Sequence, residues 1–491
     1  MAETKKVFIG SFLLIGQSLS TKVIGLVSTL ILARVLVPDD FGLVAIATLL
    51  FGFVQVLSTT GSMQYLLSIE DIDDLKINTS WTLDFLFKLP LSLLFALSAP
   101  YIAGWYGDER LIDIIYVFAL LLLVSCVATP AESLLRREQN FTPMVKLGVF
   151  SKIFSVFVAV SIALIFESYW ALVFGQVANG LIQCVGSYII HDYRPRFTLK
   201  KLKEQWIFSS WMLPQAVVGF FRSQLDTLIV SAYFNKSILG SYHVMKYLAY
   251  IPSAHIILPA TQPLLVELRK VKNDSVAFTN QFNISFIATM LIVIPMCSML
   301  MIHHNLVTLV LLGDQWGSFS ILLSAFSLII LAMALFQQCQ RVLIIDGRTK
   351  YIFFYEIVSF SVLYSSLLVI GAKNILEFSV VRVGIELLSS IILFSYITVT
   401  YTSKSNLYHL CVIIFPIFLS SFLSILVSKA VDSVTDFNFL NLVIASVTFL
   451  SVFSSLMAVF YLLGIAKSIE YEYLRRIASR GFTSVINRIR K

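Results

Sequence analysis

The stretch LARVLVPDDFG at residues 32–42 ends one apolar helix pattern, turns at PDD and begins another apolar run at FG. A second stretch, VSAYFNKSILG at residues 230–240, repeats this arrangement 198 residues later. Two further pairs match in the same order at nearly the same offset: Tyr106-Gly107-Asp108 with Leu312-Gly313-Asp314, and Leu135-Arg136 with Gln340-Arg341. Together these matches predict that the chain contains two copies of one structural unit.

The composition places the apolar runs in a membrane. Of the 491 residues, 58% are hydrophobic and only 13% are charged, and the mean hydropathy is +0.87. Soluble domains do not have such values, whereas a run of about 20 apolar residues crosses a bilayer as a helix. We count fourteen such runs. They are centred near residues 23, 53, 90, 121, 156, 176, 218, 251, 292, 331, 363, 388, 419 and 448.

Basic residues in the loops predict the orientation, because cytoplasmic loops collect Lys and Arg. With both termini in the cytoplasm, the basic clusters fall on that side. Six spans return the chain to the side where it began, so two six-helix copies have the same orientation and a pseudo-two-fold axis along the membrane normal. The predicted fold is therefore an all-α membrane protein of about fourteen transmembrane helices: two six-helix lobes plus two additional helices.

The same pattern predicts the domain boundaries. The N-lobe (spans 1–6) covers residues 1–192, a basic cytoplasmic linker 193–206, the C-lobe (spans 7–12) 207–402, an additional helix pair 403–466, and a basic amphipathic cytoplasmic tail 467–491. Because apolar residues of this tail recur at near-helical spacing against arginines, we expect it to lie on anionic lipid.

Six basic side chains lie inside runs that have the composition of membrane-spanning helices. They are Lys22, Lys88, Lys152, Arg222, Lys246 and Arg382. A cation at the bilayer centre costs roughly 2.5–3.5 kcal/mol on insertion scales, so we expect these groups to face a wet cavity or a partner rather than lipid. Several basic groups in one wet cavity suit an anionic substrate.

Two of the six have an acid one helical turn away. Asp84 precedes Lys88 by four residues and Glu386 follows Arg382 by four, so local neutralisation is expected for both.

The candidates for binding a substrate phosphate are then Lys22, Arg222 and Lys246, with Gln224 as a polar neighbour. For Lys246, snorkelling to an interface is the alternative.

Three further residues are predicted to serve ion coupling or pairing. Asp226 shares a helix face with Arg222. This spacing fits a cavity-facing pair, in which Arg222 attracts phosphate while Asp226 holds it in place or exchanges a proton, and it equally fits a self-neutralising structural pair. Lys152 and Glu356 occupy matching positions in spans five and eleven, which fits either an interlobe ion pair or two separate wet sites.

No catalytic or metal-binding constellation is found in the sequence. There is no P-loop and no G-x-S-x-G, and the five cysteines have no metal-ligand spacing. We therefore predict no enzymatic activity, no metal, no cofactor and no ATPase of its own. Nucleic-acid binding is also not expected, because the net charge of +8 follows from the loop topology rather than from a basic soluble domain.

Six short segments carry a family resemblance. They are LARVLVPDDFG (32–42), LLRREQNF (134–141), LDTLIV (225–230), LGSY (239–242), LGDQW (312–316) and DGR (346–348). In their order and spacing the chain resembles the Wzx-type polysaccharide transporters, in the superfamily that also contains the multidrug and toxin extrusion carriers and the peptidoglycan lipid flippase.

The resemblance implies export of an undecaprenyl-diphosphate-linked oligosaccharide repeat unit across the bacterial cytoplasmic (inner) membrane by alternating access, for lipopolysaccharide or exopolysaccharide biosynthesis. Its implied partners are this lipid-linked glycan, membrane lipids, and the polysaccharide polymerase and chain-length machinery. The basic cavity would then bind the diphosphate, and Asp226 falls on the family's Asp in LDTLIV. Polar side chains that could meet sugar hydroxyls are Gln17, Ser18, Gln55, Asn179 and Gln224.

Two other classes compete with this interpretation. A cation-coupled multidrug exporter of the same superfamily should present acids and aromatics to its cationic drug, whereas the spans of this chain contain at least as many bases as acids. A membrane glycosyltransferase or polymerase should have a large external loop with catalytic groups, and the longest predicted external loop, residues 302–318, is short.

Overall fold

The computed structural model describes residues 2–69, 71–253, 257, 267–370, 374–430, 435–464, 468 and 470–472, and these residues form helices and connections without a strand. The all-helical class predicted from the sequence is therefore confirmed.

In the first half of the chain the helices are α1 (Ala2–Val35), α2 (Pro38–Leu57), α3 (Ser62–Ser68), α4 (Asp74–Tyr106), α5 (Arg110–Cys126), α6 (Ala131–Arg137), α7 (Phe141–Phe166), α8 (Trp170–Ile190), α9 (Leu202–Tyr233) and α10 (Lys236–Pro252). In the second half they are α11 (Ser275–Ile302), α12 (His304–Leu311), α13 (Ser320–Ile345), α14 (Thr349–Ile370), α15 (Ile375–Tyr401), α16 (Lys404–Lys429) and α17 (Asn438–Leu462), with a 3-10 turn at Asp314–Phe319 before α13.

Ten helices within the described residues are long and apolar enough to cross a membrane. The pair α5 and α6, bent by 49° at a short break, is an eleventh candidate if it counts as one span. Helices α9, α10 and α14 lie at the other predicted span positions. Helix α9 is less apolar because it contains Arg222, Asp226 and several glutamines. The chain is thus multi-pass, while fourteen crossings and cytoplasmic termini stay predictions.

The chain divides into two compact units, Met1–His243 and Val244–Lys491. Helix α9, which the sequence repeat assigns to the C-lobe, packs against α2, α3 and α4 of the first unit. The predicted lobe boundaries were set by the repeat rather than by packing, and they stay a prediction. Of the predicted tail, only residues 468 and 470–472 are described, so its amphipathic helix lies outside the described residues.

The helix ends follow from local sequence signals. Pro38 begins α2, where its missing N–H costs nothing, and the Asp40 carboxylate accepts a hydrogen bond from the Val37 amide at 3.3 Å. Asp73 caps α4 by accepting from the Lys76 amide at 2.7 Å. Gly107 ends α4 with φ of 64°, a left-handed conformation that glycine adopts without strain.

The two repeat stretches meet at a pair of glycines in the first unit. A Cβ atom at Gly42 on α2 would collide with the carbonyl oxygen of Lys236, and one at Gly240 on α10 would collide with that of Pro38. Gly42 matches Gly240 in the repeat, and Pro38 matches Lys236. The contact is therefore reciprocal, which is the pattern that a two-fold relation between copies generates.

The core of the second unit consists of stacked aromatic and aliphatic side chains. The rings of Phe286 and Phe394 lie 4.7 Å apart at an angle of 23°, and those of Phe282 and Phe394 lie 6.0 Å apart. These side chains are buried and join α11 to α15. At its end, Tyr471 donates a hydrogen bond to the Ile413 carbonyl at 2.9 Å, so the beginning of the predicted tail is attached to α16.

The glycine crossing predicts a large effect of one methyl group. Gly42→Ala should lower the free energy of unfolding by about 1–3 kcal/mol, because the new Cβ meets rigid backbone rather than a flexible side chain. Gly104→Ala in α4 is the matched control, since its Cβ would have no neighbour within 4 Å. Thermal unfolding of the detergent-purified variants measures both changes. Equal unfolding temperatures for Gly42→Ala and the native protein would contradict the crossing.

Candidate functional site

Two of the predicted lysines lie near one stretch of α1, one on α1 itself and the other on the neighbouring helix α7. Lys22 is exposed on α1. Lys152 on α7 is partly buried, and its Nζ lies 3.5 Å from the position that a Cβ of Gly25 would occupy. Gly25 follows Lys22 by three residues, so the two positions are neighbours on the helix surface. The structure therefore brings the Lys152 side chain to a position on α1 within one helical turn of Lys22.

No acid lies near these lysines in sequence. Residues 4–35, 141–166 and 170–190, which include α7, α8 and all but the first turn of α1, contain no Asp and no Glu. Within the described part of the chain, Lys152 forms no ion pair. Positive charge at the α1–α7 contact is thus not neutralised by the helices that carry it.

Amide and hydroxyl side chains accompany the lysines. The Gln17 side chain packs directly over Gly148, which has no side chain to obstruct it. On α8, Gln183 Nε2 donates to Ser151 Oγ at 2.7 Å, and Gln176 Nε2 donates to Thr48 Oγ1 at 3.2 Å. Of the other residues proposed to meet sugars, Ser18 and Gln55 are exposed and Asn179 and Gln224 are partly buried.

Asp226 lies in a buried hydrogen-bonded position. Its exposed fraction is 1%, and it accepts hydrogen bonds from the Tyr242 hydroxyl at 2.8 Å and from the Thr227 amide at 2.8 Å. Buried carboxylates require such partners. Tyr242 therefore ties α10 to α9 through Asp226. Sequence reasoning did not identify this role, although Tyr242 ends the LGSY segment quoted above.

The remaining predicted site residues lie on several helices. Arg222 is exposed on α9, Lys246 is partly buried on α10, and Glu356 is partly buried on α14. Lys152 belongs to the first unit and Glu356 to the second. A pair between them stays a prediction.

One predicted neutralisation is confirmed and the other is wrong. Arg382 Nη1 lies 3.6 Å from Glu386 Oε2, one turn further along α15. Lys88 instead points to the Ser125 carbonyl at 3.5 Å. Asp84 accepts from Ser62 Oγ at 2.8 Å and from the Thr60 hydroxyl, because it faces the connection before α3, where hydroxyl donors are available.

Four charged residues from three connections form a cluster that we call the Asp108 cluster: Asp39, Asp108, Arg110 and Lys236. Arg110 Nη2 lies 2.7 Å from Asp108 Oδ2 and 3.0 Å from Asp39 Oδ2, and Lys236 Nζ contacts Asp108. The guanidinium also lies over the ring of Tyr169, 5.7 Å from its centroid. Together with Tyr169, the cluster joins four connections, α1–α2, α4–α5, α7–α8 and α9–α10.

The centre of this cluster is an ionised carboxylate. The Asp108 side chain has an exposed fraction of 7%. Hydrogen bonds from Arg110 hold the pKa of Asp108 well below its usual range, aided by Lys236 and opposed by burial. Sequence reasoning treated this residue only as part of the repeated Gly-Asp segment.

At the other end of α9, three uncharged side chains form what we call the Gln205 network: Ser62, Ser80 and Gln205. Ser80 Oγ donates to Gln205 Oε1 and Gln205 Nε2 donates to Ser62 Oγ, both at 2.9 Å. Between the two ends, the Phe53 ring packs on Phe220 at 5.4 Å. Helix α9 is therefore attached to the rest of the first unit at three places. These are its first turn, its middle, and the α9–α10 turn that follows it.

Within the described residues, no group of three or more His, Cys, Asp or Glu side chains is arranged to hold a metal ion.

The comparison with known proteins identifies relatives in polysaccharide biosynthesis. A family model described as "Polysaccharide biosynthesis protein" matches residues 31–321. The succinoglycan biosynthesis transport protein ExoT of Rhizobium meliloti (strain 1021) is 24% identical over 290 residues, covering 58% of this chain and 58% of that protein. The lipopolysaccharide biosynthesis protein WzxC of Escherichia coli (strain K12) is 20% identical over 308 residues, covering 60% and 61%. The chain thus matches less than two thirds of the length of these curated relatives.

Among solved structures, the lipid II flippase MurJ in an inward closed conformation is similar, with a TM-score of 0.68, 14% sequence identity and coverage of 92% of this chain and 99% of that one. At this identity the likeness concerns the fold. The family match covers more than half of the chain, and it confirms the resemblance drawn from the six short segments. The chain belongs to the polysaccharide biosynthesis protein family, as a multi-pass membrane protein with a fold like that of the MurJ flippase.

Proposed function

We propose that the protein is a flippase that moves an undecaprenyl-diphosphate-linked oligosaccharide repeat unit across the bacterial inner membrane for surface polysaccharide biosynthesis. The observation that carries the proposal is that Lys152 of α7 lies against α1 one turn from Lys22, while α7, α8 and α1 beyond its first turn contain no acid. The names of the relatives, a succinoglycan transport protein and a lipopolysaccharide biosynthesis protein, support the same substrate class.

The sign of the charge favours this substrate over a cationic drug. Uncompensated lysines in a low-dielectric region repel a cation and attract a diphosphate. The alternative, a cation-coupled multidrug exporter, requires acids where α1, α7 and α8 have none beyond the first turn of α1. Arg222, Lys246 and Gln224 are proposed to complete the anion-binding set from α9 and α10.

The glycan would meet the amide side chains. Gln17 and Gln183 offer both donors and acceptors within a turn of Lys152, and sugar hydroxyls need both. Gln176 lies further along α8.

For Asp226 we propose a role in coupling or in orienting the cationic residues of α9. A carboxylate that is buried and bonded to Tyr242 is sensitive to any change in the distance between α9 and α10. Exchange of a proton or a cation at this position would therefore be linked to movement of these two helices.

Alternating access requires that the closures at the two ends of α9 open in turn. We propose that the Asp108 cluster is one closure and the Gln205 network the other. Opening the charged cluster exposes its ions to water, which solvates them well, so the opened state is not strongly disfavoured. Opening the Gln205 network replaces its two Gln205 hydrogen bonds by hydrogen bonds to water at a modest net cost.

Lys22→Ala and Lys152→Ala should each reduce surface polymer and cause the lipid-linked repeat unit to accumulate. Loss of a charge-assisted contact of about 1.5–3 kcal/mol corresponds to at least about a tenfold lower transport rate. The measurement is complementation of a flippase-deficient strain, with quantification of lipid-linked intermediates and of the amount of protein in the membrane.

The matched control is Lys200→Ala, because Lys200 is exposed in the connection before α9. If Lys22→Ala and Lys152→Ala both gave native levels of surface polymer, with native amounts of the protein in the membrane, the anion-site proposal would be overturned.

Asp108→Asn should loosen the closure that contains it. We expect Ser231→Cys, whose native hydroxyl lies 3.0 Å from that of Tyr106, to react faster with a membrane-impermeant maleimide when Asp108 is neutralised. Glu109→Gln is the matched control, since Glu109 is its exposed neighbour. Site-specific labelling is measured by mass spectrometry. Equal labelling rates in Asp108→Asn and Glu109→Gln would contradict the closure.

The same labelling has a defined pH dependence. The pKa of Asp108 is lowered from the usual 3.8, so its stabilising effect is complete above that value and is lost only as the pH falls below it. Maleimide reacts with the thiolate, whose fraction falls with the pH, so the rate for Ser231→Cys in an otherwise native chain is divided by the rate for Ser231→Cys combined with Asp108→Asn at the same pH. This ratio should stay constant between pH 8 and about pH 5. A rise within this interval would show that Asp108 is not held ionised.

A further inference from the structure

A groove runs between α7 and α8 on the outside of the first unit. Its volume is about 840 Å³, and its walls include Thr142, Lys146 and Phe150 on α7 and Val185 and Ile189 on α8. The floor is closed where Leu147 packs against Gly186, a position at which any Cβ would collide with the leucine. The groove is therefore open to the outside and closed towards the interior of the first unit.

The walls are apolar and outward-facing. Only Thr142 and Lys146 among the lining residues have polar side chains. The exposed fractions of Phe150, Val185 and Ile189 are 59%, 60% and 78%. In a membrane protein such a surface faces lipid, so the occupant must present hydrocarbon to the walls.

One end of the groove is cationic. Lys146 is exposed in the second turn of α7, and it forms no hydrogen bond or ion pair with any residue that the structure describes. Neither α7 nor α8 contains an acid. The loop charges predict that this end lies on the cytoplasmic side, where a lysine near the surface meets anionic headgroups.

The length of the groove fits one leaflet. From Thr142 to Phe150 the chain advances eight residues, about 12 Å along a helix, and half of the hydrocarbon core is about 15 Å thick. A phospholipid acyl chain spans one leaflet, whereas an undecaprenyl chain is much longer.

We propose that the α7–α8 groove binds an anionic phospholipid of the cytoplasmic leaflet, with an acyl chain along Phe150, Val185 and Ile189 and the headgroup phosphate at Lys146, next to the Thr142 hydroxyl. The acyl chain is in an apolar environment both in the bilayer and in the groove, so it provides little selectivity. Selectivity between lipids therefore comes from the net charge of the headgroup. We expect a preference of about fivefold for phosphatidylglycerol over phosphatidylcholine, the ratio that one lysine near an anionic lipid provides.

The test uses the full chain in vesicles with phosphatidylglycerol or phosphatidylcholine that carries a photoreactive group on the acyl chain. Crosslinked peptides are mapped by mass spectrometry. In the native protein, labelling of residues 142–150 and 181–190 should be about fivefold higher with phosphatidylglycerol. Lys146→Gln should abolish the preference while labelling by phosphatidylcholine persists. Val185→Trp, which fills the groove, should reduce labelling by both lipids.

Lys200→Gln is the charge control and should keep the preference, since Lys200 does not line the groove. Equal labelling by the two lipids in the native protein would overturn the proposal, as would a preference that survives Lys146→Gln. Competition by an unlabelled polyprenyl phosphate but not by unlabelled phosphatidylglycerol would assign the groove to an isoprenoid chain instead. None of these readouts depends on transport activity, so their outcome is independent of the proposed flippase function.

Discussion

The cost of placing charge in a bilayer determines how the first unit is arranged. A charged side chain between membrane helices needs a counter-ion, hydrogen bonds or water. Asp108 lies among Arg110 and Lys236, and Asp226 accepts hydrogen bonds from Tyr242 and Thr227. Lys22 and Lys152 differ, because α7, α8 and α1 beyond its first turn contain no acid that could neutralise them. A group left uncompensated by its own fold is suited to a ligand of opposite charge, and this contrast underlies the proposed function.

Under the proposed function, helix α9 links these charges to movement. Its first turn is bonded through Gln205 to Ser62 and Ser80, its middle packs on Phe53, and the turn that follows it brings Lys236 to Asp108. Close backbone contact at Gly42 and Gly240 allows α2 and α10 to approach without side chains between them. A helix held by polar groups at its ends and by rings at its middle can separate at either end while the apolar middle remains packed, and alternating closures require this behaviour.

Much of the fold could be predicted from the sequence alone. The apolar runs and the turn at residues 38–40 are local signals, and the repeat that pairs Gly42 with Gly240 is visible as two matching stretches. The Asp84–Lys88 prediction was wrong because four-residue spacing shows only that two side chains can meet, not that better donors are absent elsewhere. The Asp108 cluster was missed for a related reason. Lys236 lies 128 residues from Asp108, and only tertiary packing brings three separate connections together.

The distribution of acids also bears on how substrate is released. A cation that is already paired with a carboxylate binds phosphate only by exchanging partners, which weakens binding but leaves the cation compensated after the substrate departs. A cation without such a partner binds phosphate strongly and loses that stabilisation on release. Lys22 and Lys152 are of the second kind, whereas Arg222 shares α9 with the Asp226 carboxylate. Under the proposed function, diphosphate capture would therefore be strongest at the α1–α7 contact. Release would be assisted at Arg222, because the Asp226 carboxylate is close enough in sequence to replace the phosphate.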